Sequence, residues 1–390
     1  MLTTLAVQGY RSLRDVVVPL GRLTLITGAN GSGKSSLYRA LRLLTDAARG
    51  GAVAALAREG GLPSTLWAGP ETISASMRRG EVPVQGTRRS GPVRLQLGFA
   101  GDGFGYAMDL GLPRPDVGSG RFALDPEIKV ETVWSGPVAR PAAVLAQRRG
   151  PVVRVRDGRS WTELTRSLAD YDSMLGHVAD PHRAPELLEL REQLRGWRFY
   201  DHLRTDASAP ARLAPVGTRT PVLAHDGADL AAALATIEEI GRSGVLARTV
   251  DAAFPGSRIE VSVDAGRFGL ALRQDGMLRP MRADELSDGT LRYLMLTAAL
   301  LTPRPPELLV LNEPETSLHP ELIGPLAGLI HAASEEMQVV VVTHSATLQA
   351  ALADLTGADL ERVELVKDLG ETTIAGQGLL SRPSWTWPGR

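Results

Sequence analysis

The chain has 390 residues, 43% of them hydrophobic and 22% charged, with a formal net charge of -1. That length exceeds what one hydrophobic core usually fills, so two lobes or a core with an insertion are expected. The near-neutral balance excludes a chain that is basic overall, so any nucleic-acid surface must be local. Cysteine is absent, which removes disulfides, cysteine-bound zinc and a zinc-hook dimer device and fits a reducing compartment.

In chain order, the opening MLTTLAVQGYRSL is strand-like and lacks the apolar core of a signal peptide. No apolar run approaches the roughly 18 residues of a membrane span, so a cytoplasmic protein without a membrane is expected. Residues 2–7 and 16–20 read as strands around a polar turn, residues 23–26 as a third strand, and residues 35–44 as a helix with Leu37, Leu41 and Leu44 on one face. From 93 to 155 alternating apolar residues separated by Gly, Pro and Asp predict an antiparallel section. Residues 161–198 read as mostly helical, 204–221 as a loop, and 229–242 as a helix with Asp229 as N-cap. A strand pair is predicted at 259–263 and 268–272 and a helix over 289–301. A strand at 308–311, a helix over 321–333 and a strand at 339–343 then follow the parallel α/β pattern. The tail 381–390 is expected to be poorly ordered.

Chemistry concentrates in a few stretches. Gly28-Ala29-Asn30-Gly31-Ser32-Gly33-Lys34-Ser35 matches G-x-x-x-x-G-K-[ST] between a predicted strand and a predicted helix. Glycines let backbone N–H groups curl around phosphate oxygens, and the helix N-terminus adds a favourable field. Lys34 would reach the β/γ-phosphates and the Ser35 hydroxyl would ligate Mg²⁺. Nucleotide contacts are therefore expected from Gly28, Asn30, Gly31, Ser32, Gly33, Lys34, Ser35 and Ser36. The chain's only lysines are Lys34, Lys129 and Lys367, mostly a codon bias, so Lys34 stands where arginine is not expected to substitute. The apolar run 308–311 ends in Asn312-Glu313, candidates for a Mg²⁺-water acceptor and an activator of the attacking water. His344 follows the next predicted strand and is placed to bond the γ-phosphate and that water. Ser287-Asp288-Gly289 precedes a helix, and Ser287 with Gly289 forms either an anion site or an N-cap alone.

The order of these motifs, with Ser317-Leu318-His319-Pro320 before His344, resembles ABC-type ATPase heads. GYRSLRDVVVPLGRLTLITGANGSGKSSL and NEPETSLHP look like the RecF/SMC-like branch, in particular stand-alone predicted AAA-family ATPases of the RecF-like group. The resemblance covers both ends of the chain well and 136–255 weakly. It implies an α/β P-loop NTPase: an ABC-type head with a mixed sheet, an antiparallel β section and a mainly helical insertion. The expected divisions are 1–135, an N-terminal ATPase lobe; 136–255, the insertion; 256–376, a C-terminal ATPase lobe; and 377–390, a tail. It also implies a head-to-head homodimer sandwiching two ATP molecules, with Ser287 and Gly289 touching the partner's γ-phosphate. Residues 317–319 would cross the interface, and Arg11 would lie close to bound nucleotide. The sequence departs from the commonest pattern at Asp288, where glycine is usual, and at Asn312, where aspartate is usual. Asn keeps an oxygen acceptor and loses the charge, so weaker Mg²⁺ binding and slower hydrolysis are expected. The glutamine loop has two candidates, Gln85 and Gln96.

Such heads serve DNA repair, chromosome organisation, phage defence or transport. DNA binding would rest on Arg78, Arg79, Arg88, Arg89, Arg148, Arg149, Arg154, Arg156 and Arg159, if they cluster. Alternatives are a nucleotide-dependent switch that recruits a separate effector and, less favoured, a transporter subunit. Only 46 residues follow His344, too few for a fused nuclease domain, so nuclease activity is expected to reside on another chain.

Overall fold

The computed structural model describes residues 1–70, 73–83, 92, 94–113, 121–201, 203–241, 243–378 and 380–389. Gln85, Arg88, Arg89 and Val93 lie outside the described residues. The chain opens with β1 (Leu2–Tyr10), β2 (Leu13–Pro19), β3 (Leu23–Gly28) and the helix Lys34–Ala48. Then come β4 (Leu95–Gly101), β5 (Phe104–Gly111), β6 (Glu127–Ser135), β7 (Val144–Arg149), β8 (Val152–Asp157) and β9 (Ser160–Thr165). The remainder holds β10 (Arg198–Tyr200), β11 (Ser257–Asp264), β12 (Arg267–Gln274), β13 (Met281–Arg282), β14 (Leu308–Asn312), β15 (Gln338–Val342), β16 (Leu360–Asp368) and β17 (Glu371–Ile374). Two compact units result: Met1–Gly21, Ile26–Trp197 and Arg362–Arg390 form the first, Arg22–Leu25 and Arg198–Glu361 the second.

In the first unit an antiparallel sheet runs in the order β2-β1-β4-β5-β6-β7-β8-β9. Alternation sets its faces: on β8, Val153 and Val155 are buried while Arg154 is exposed. The second half of β3 neighbours β16, which pairs with β17. Leu37, Leu41 and Leu44 of the helix Lys34–Ala48 are fully buried, as their spacing predicts. Inside the sheet, Glu131 and Arg148 are both fully buried and 3.1 Å apart. Glu131 also accepts from Tyr106 Oη at 2.6 Å, Ser173 Oγ at 2.5 Å and the Met174 N–H at 2.8 Å. Burial, reinforced by the Glu131 charge, pushes the Tyr106 hydroxyl well above its usual pKa.

In the second unit, β10, β14 and β15 pair in parallel, with β15 next to the first half of β3. The helix Asp288–Leu300 is buried from Leu291 to Leu300. It packs in one core with Leu309, Leu311, Val339 and Val341 of the strands. β11, β12 and β13 make a separate antiparallel sheet.

Two readings of the sequence change and a third is refined. Trp161 lies on β9, not in a helix. Gly158, at φ 59°, turns the chain between β8 and β9, and Trp and Thr side chains favour the hairpin strand. Asp229 stands at the N-cap of its helix as expected, but without a side-chain cap bond; its Oδ1 instead accepts the Ala224 N–H at 2.9 Å. The tail is anchored: Trp385 packs edge-on to Trp134 with centroids 5.7 Å apart, and Trp387 packs on Trp385 at 5.1 Å. A Cβ on Gly98 would lie 2.6 Å from the Trp385 ring, so that glycine makes room for the tail.

Arg148→Ala would leave the buried Glu131 carboxylate without its cation. Unfolding in urea is expected to show a loss of about 3–5 kcal/mol. An unchanged transition would mean that Glu131 is not held as a buried charge.

Candidate functional site

The phosphate loop lies in the first unit between β3 and the helix Lys34–Ala48. Gly28, Gly31 and Gly33 have φ of 141°, 80° and 108°, a region that L side chains rarely enter. Two are also sterically required: a Cβ on Gly28 would lie 2.3 Å from the Leu365 carbonyl oxygen, and one on Gly33 2.5 Å from Thr372 Oγ1. Thr372 Oγ1 donates to the Ser32 carbonyl at 2.7 Å and stands 2.8 Å from Ser12 Oγ, bracing the loop from β17. Lys34 Nζ donates to the carbonyls of Gly28 and Ala29 at 2.6 and 3.1 Å. No side chain caps the helix Lys34–Ala48, and the first N–H groups of a helix have no intrahelical acceptor. Ser32 Oγ is buried and has no hydrogen-bond partner among the described residues. Orphan donors, curled glycines and a lysine already in the loop fit a polyphosphate. Asn30 and Ser35 are exposed and Ser36 is half-buried.

Arg11, at φ 51°, is paired with a carboxylate. Its guanidinium donates to Glu59 Oε2 at 2.7 Å, and Tyr10 Oη donates to the same oxygen at 2.6 Å. Burial, with Glu59 adding to it, pushes the Tyr10 hydroxyl well above its ordinary pKa.

The second unit carries the other candidates. Asn312 ends β14 opposite Val342. Glu313 leaves the strand at φ 48° while its N–H still bonds the Val342 carbonyl at 2.7 Å. Glu313 Oε1 is 3.3 Å from His344 Nδ1, and both side chains are substantially exposed. Glu315 Oε1 lies 3.7 Å from the same nitrogen and accepts from Thr343 Oγ1, while Glu315 Oε2 is buried without a partner among the described residues. The turn is pinned from the helix Asp288–Leu300. Arg292, largely buried, donates Nη2 to the Glu313 carbonyl at 3.0 Å, Nε to Pro314 at 3.4 Å and Nη1 to Leu203 at 3.3 Å. Burial pulls the Arg292 guanidinium below its ordinary pKa, against the opposing pull of Glu315 and Glu313.

Ser287 is the N-cap of that helix, its Oγ accepting the Thr290 N–H at 3.1 Å. Gly289 is obligatory, because a Cβ there would lie 2.8 Å from the Ser317 carbonyl oxygen. Ser317 itself has φ 64°. These residues line a groove of about 590 Å³ with His319 and Phe254. Asp288 has a local reason to replace glycine: its Oδ1 accepts from Arg212 Nη2 at 2.7 Å. Arg212 Nη1 holds the Leu286 and Ala283 carbonyls at 2.7 and 3.0 Å.

The structure brings Glu313 to His344, and Ser287 and Gly289 to residues 317–319, within the second unit. Gln96 is an interior residue of β4, 2% exposed and 3.4 Å from Asp109 Oδ2. It is placed as a packing residue, which leaves no described glutamine-loop candidate. The described arginines of that set do not form one patch. Arg148 is interior, Arg78 pairs with Asp368 and Glu371, and Arg79 pairs with Glu81. Sequence reasoning missed Arg292, Arg212, Glu315 and Thr372. Arg292 left a signal, a lone cation in the apolar run Leu291–Leu301.

Fold and motifs define a P-loop ATPase domain of the RecF/SMC-like ABC type. A family profile described as "AAA domain, putative AbiEii toxin, Type IV TA system" matches residues 139–350, and one described as "AAA ATPase domain" matches residues 1–55. The chain belongs to the first of these families, whose match spans more than half of it. Among solved structures, the chain is similar to an SMC head bound to the C-terminal winged-helix domain of ScpA. The TM-score is 0.51 at 14% identity, covering 97% of this chain and 98% of that one. The SMC head domain of Thermotoga maritima aligns over 97% of this chain and 99% of its own, with TM-score 0.47 and 16% identity. A curated OLD nuclease of Thermus scotoductus is 48% identical over 44 residues, which is 11% of this chain and 8% of that protein.

Gly289→Ala would push a methyl group into the Ser317 carbonyl. A destabilisation of about 1–3 kcal/mol is expected in urea unfolding. A variant as stable as the wild type would mean the 317 turn is free to move away.

Proposed function

We propose that the chain binds ATP on the phosphate loop, hydrolyses it slowly, and uses it to pair two copies head to head in DNA maintenance or phage defence. The observation that carries this is Glu313. It sits just past a buried parallel strand, in a left-handed backbone that non-glycine residues seldom adopt, 3.3 Å from His344. Such strain persists only where surrounding contacts over-determine it, and it gathers at functional turns. Here Arg292 and Val342 supply those contacts.

In this reading Lys34 leaves the Gly28 and Ala29 carbonyls for the β- and γ-phosphates, and backbone N–H groups of the loop hold the remaining oxygens. Ser35 is the hydroxyl that would hold Mg²⁺, and Asn312 would accept from a metal-bound water without adding charge. Mg²⁺ supplies neutralisation of developing phosphate charge. Glu313 accepts a proton from the attacking water, and His344, oriented by Glu313 and Glu315, bonds the terminal phosphate. Ser287 and Gly289 serve the nucleotide of a second copy. The short match to a nuclease and the SMC-head fold support a DNA-directed role. The neutral Asn312 favours a second reading, a slow switch whose ATP-bound dimer recruits a separate effector.

Mass in solution and phosphate release test this together, for wild type and Glu313→Gln with and without ATP–Mg²⁺. Dimer formation that needs ATP is expected, persisting in Glu313→Gln while turnover falls by on the order of 100-fold or more. A mass indifferent to ATP with Glu313→Gln turnover equal to wild type would contradict the reading.

A further inference from the structure

The first unit holds a second cavity whose lining has one sign of charge. It measures about 510 Å³ and lies between the outer face of β6–β9 and the tail, lined among others by Arg140, Arg149, Arg156, Trp161 and Trp387. Among the described residues no carboxylate lines it. Its volume falls in the range of about 300–1,000 Å³ that drug-sized groups occupy.

The walls are fixed. Arg156 Nη2 donates to the Pro141 carbonyl at 2.9 Å, and its guanidinium lies 4.9 Å from the centre of the Trp161 ring, a cation–π geometry. Trp387 is held through Trp385 on Trp134. Trp161 is nevertheless 39% exposed, so part of its ring surface is open. Arg140 and Arg149 are exposed and make no ion pair among the described residues. Exposed Arg154 and Arg159 lie on β8 and its turn, and Glu163, opposite Arg154 on β9, is already paired with Arg166. Arg78 and Arg79, also exposed in this unit, are by contrast paired with carboxylates.

We propose that this groove binds a single-stranded nucleic acid, with a base stacking at Trp161 and phosphates held by Arg140 and Arg149. Aromatic faces flanked by unpaired arginines suit a strand whose bases are unpaired, because a duplex keeps its π-faces stacked inside. Further exposed arginines beyond the cavity, Arg154 and Arg159, favour a strand over a single nucleotide. The proposal deepens the DNA-directed reading above by naming the strand form and its site. It does not depend on the ATP chemistry, since every residue it uses lies away from the phosphate-loop sequence.

The test is fluorescence anisotropy of a labelled oligothymidylate with the full chain at low salt and without ATP. Unlabelled duplex of equal length and free thymidine monophosphate serve as competitors. Trp161→Ala is expected to weaken binding roughly tenfold, in line with the contribution of one stacked base. Arg149→Ala is expected to lower the slope of log affinity against log salt by about 0.7. Both side chains are exposed, and unchanged thermal unfolding would show the variants folded. Lys34→Ala should bind the strand as wild type does. Absence of binding at low salt, wild-type affinity in both groove variants, or equal competition by the free nucleotide would each overturn the proposal. Tighter competition by duplex than by single strand would overturn it too, while leaving a DNA-directed role standing.

Discussion

One buried guanidinium organises the candidate site of the second unit. Arg292 sits in the otherwise apolar helix that begins at the Ser287 cap, and its donors end on the carbonyls of Glu313, Pro314 and Leu203. A buried arginine is tolerated only when its donors are satisfied, and three carbonyls in fixed directions satisfy these. The same bonds hold Glu313 in a backbone conformation that it would not adopt alone. The signature helix and the strand-end carboxylate are thus mechanically one piece: a shift of the helix must carry the Glu313 turn with it or break bonds inside the core.

That coupling gives the two departures from the common motifs a physical setting. Asp288 is the outer anchor of the signature segment, tied to Arg212, which also gathers the carbonyls of Leu286 and Ala283. A glycine there would leave Arg212 without its carboxylate. Asn312 keeps the strand-end acceptor while lowering the negative charge beside Glu313, Glu315 and His344. A site with fewer carboxylates holds a divalent cation less firmly, which under the proposed reading suits a long-lived nucleotide state more than rapid turnover.

Much of this was legible in the sequence, for reasons of sterics. The phosphate loop declares itself because its curvature demands glycine at Gly28 and Gly33, and the backbone of Leu365 and the side chain of Thr372 stand where a Cβ would go. Glu313 was legible as the polar end of an apolar strand. Arg292 and Arg212 were not, because the acceptors of Arg292 lie 21 to 89 residues away and those that tie Arg212 to the signature segment 71 to 76, and no local pattern encodes such pairings. Trp161 misled because one aromatic among polar residues carries no period. The tail misled because Ser and Pro suggest disorder, while its two tryptophans find the surface opened by Gly98.

The most direct test of this account is Arg292→Lys, with ATP affinity and phosphate release measured on the same preparation. Lysine keeps the charge and loses the planar fork, so it cannot hold the Glu313 and Pro314 carbonyls together. The expected result is ATP affinity within a few-fold of wild type and turnover reduced by on the order of tenfold to a hundredfold, as a misplaced catalytic group gives. Turnover equal to wild type would show that the Glu313 turn holds its geometry without Arg292, and would contradict the account.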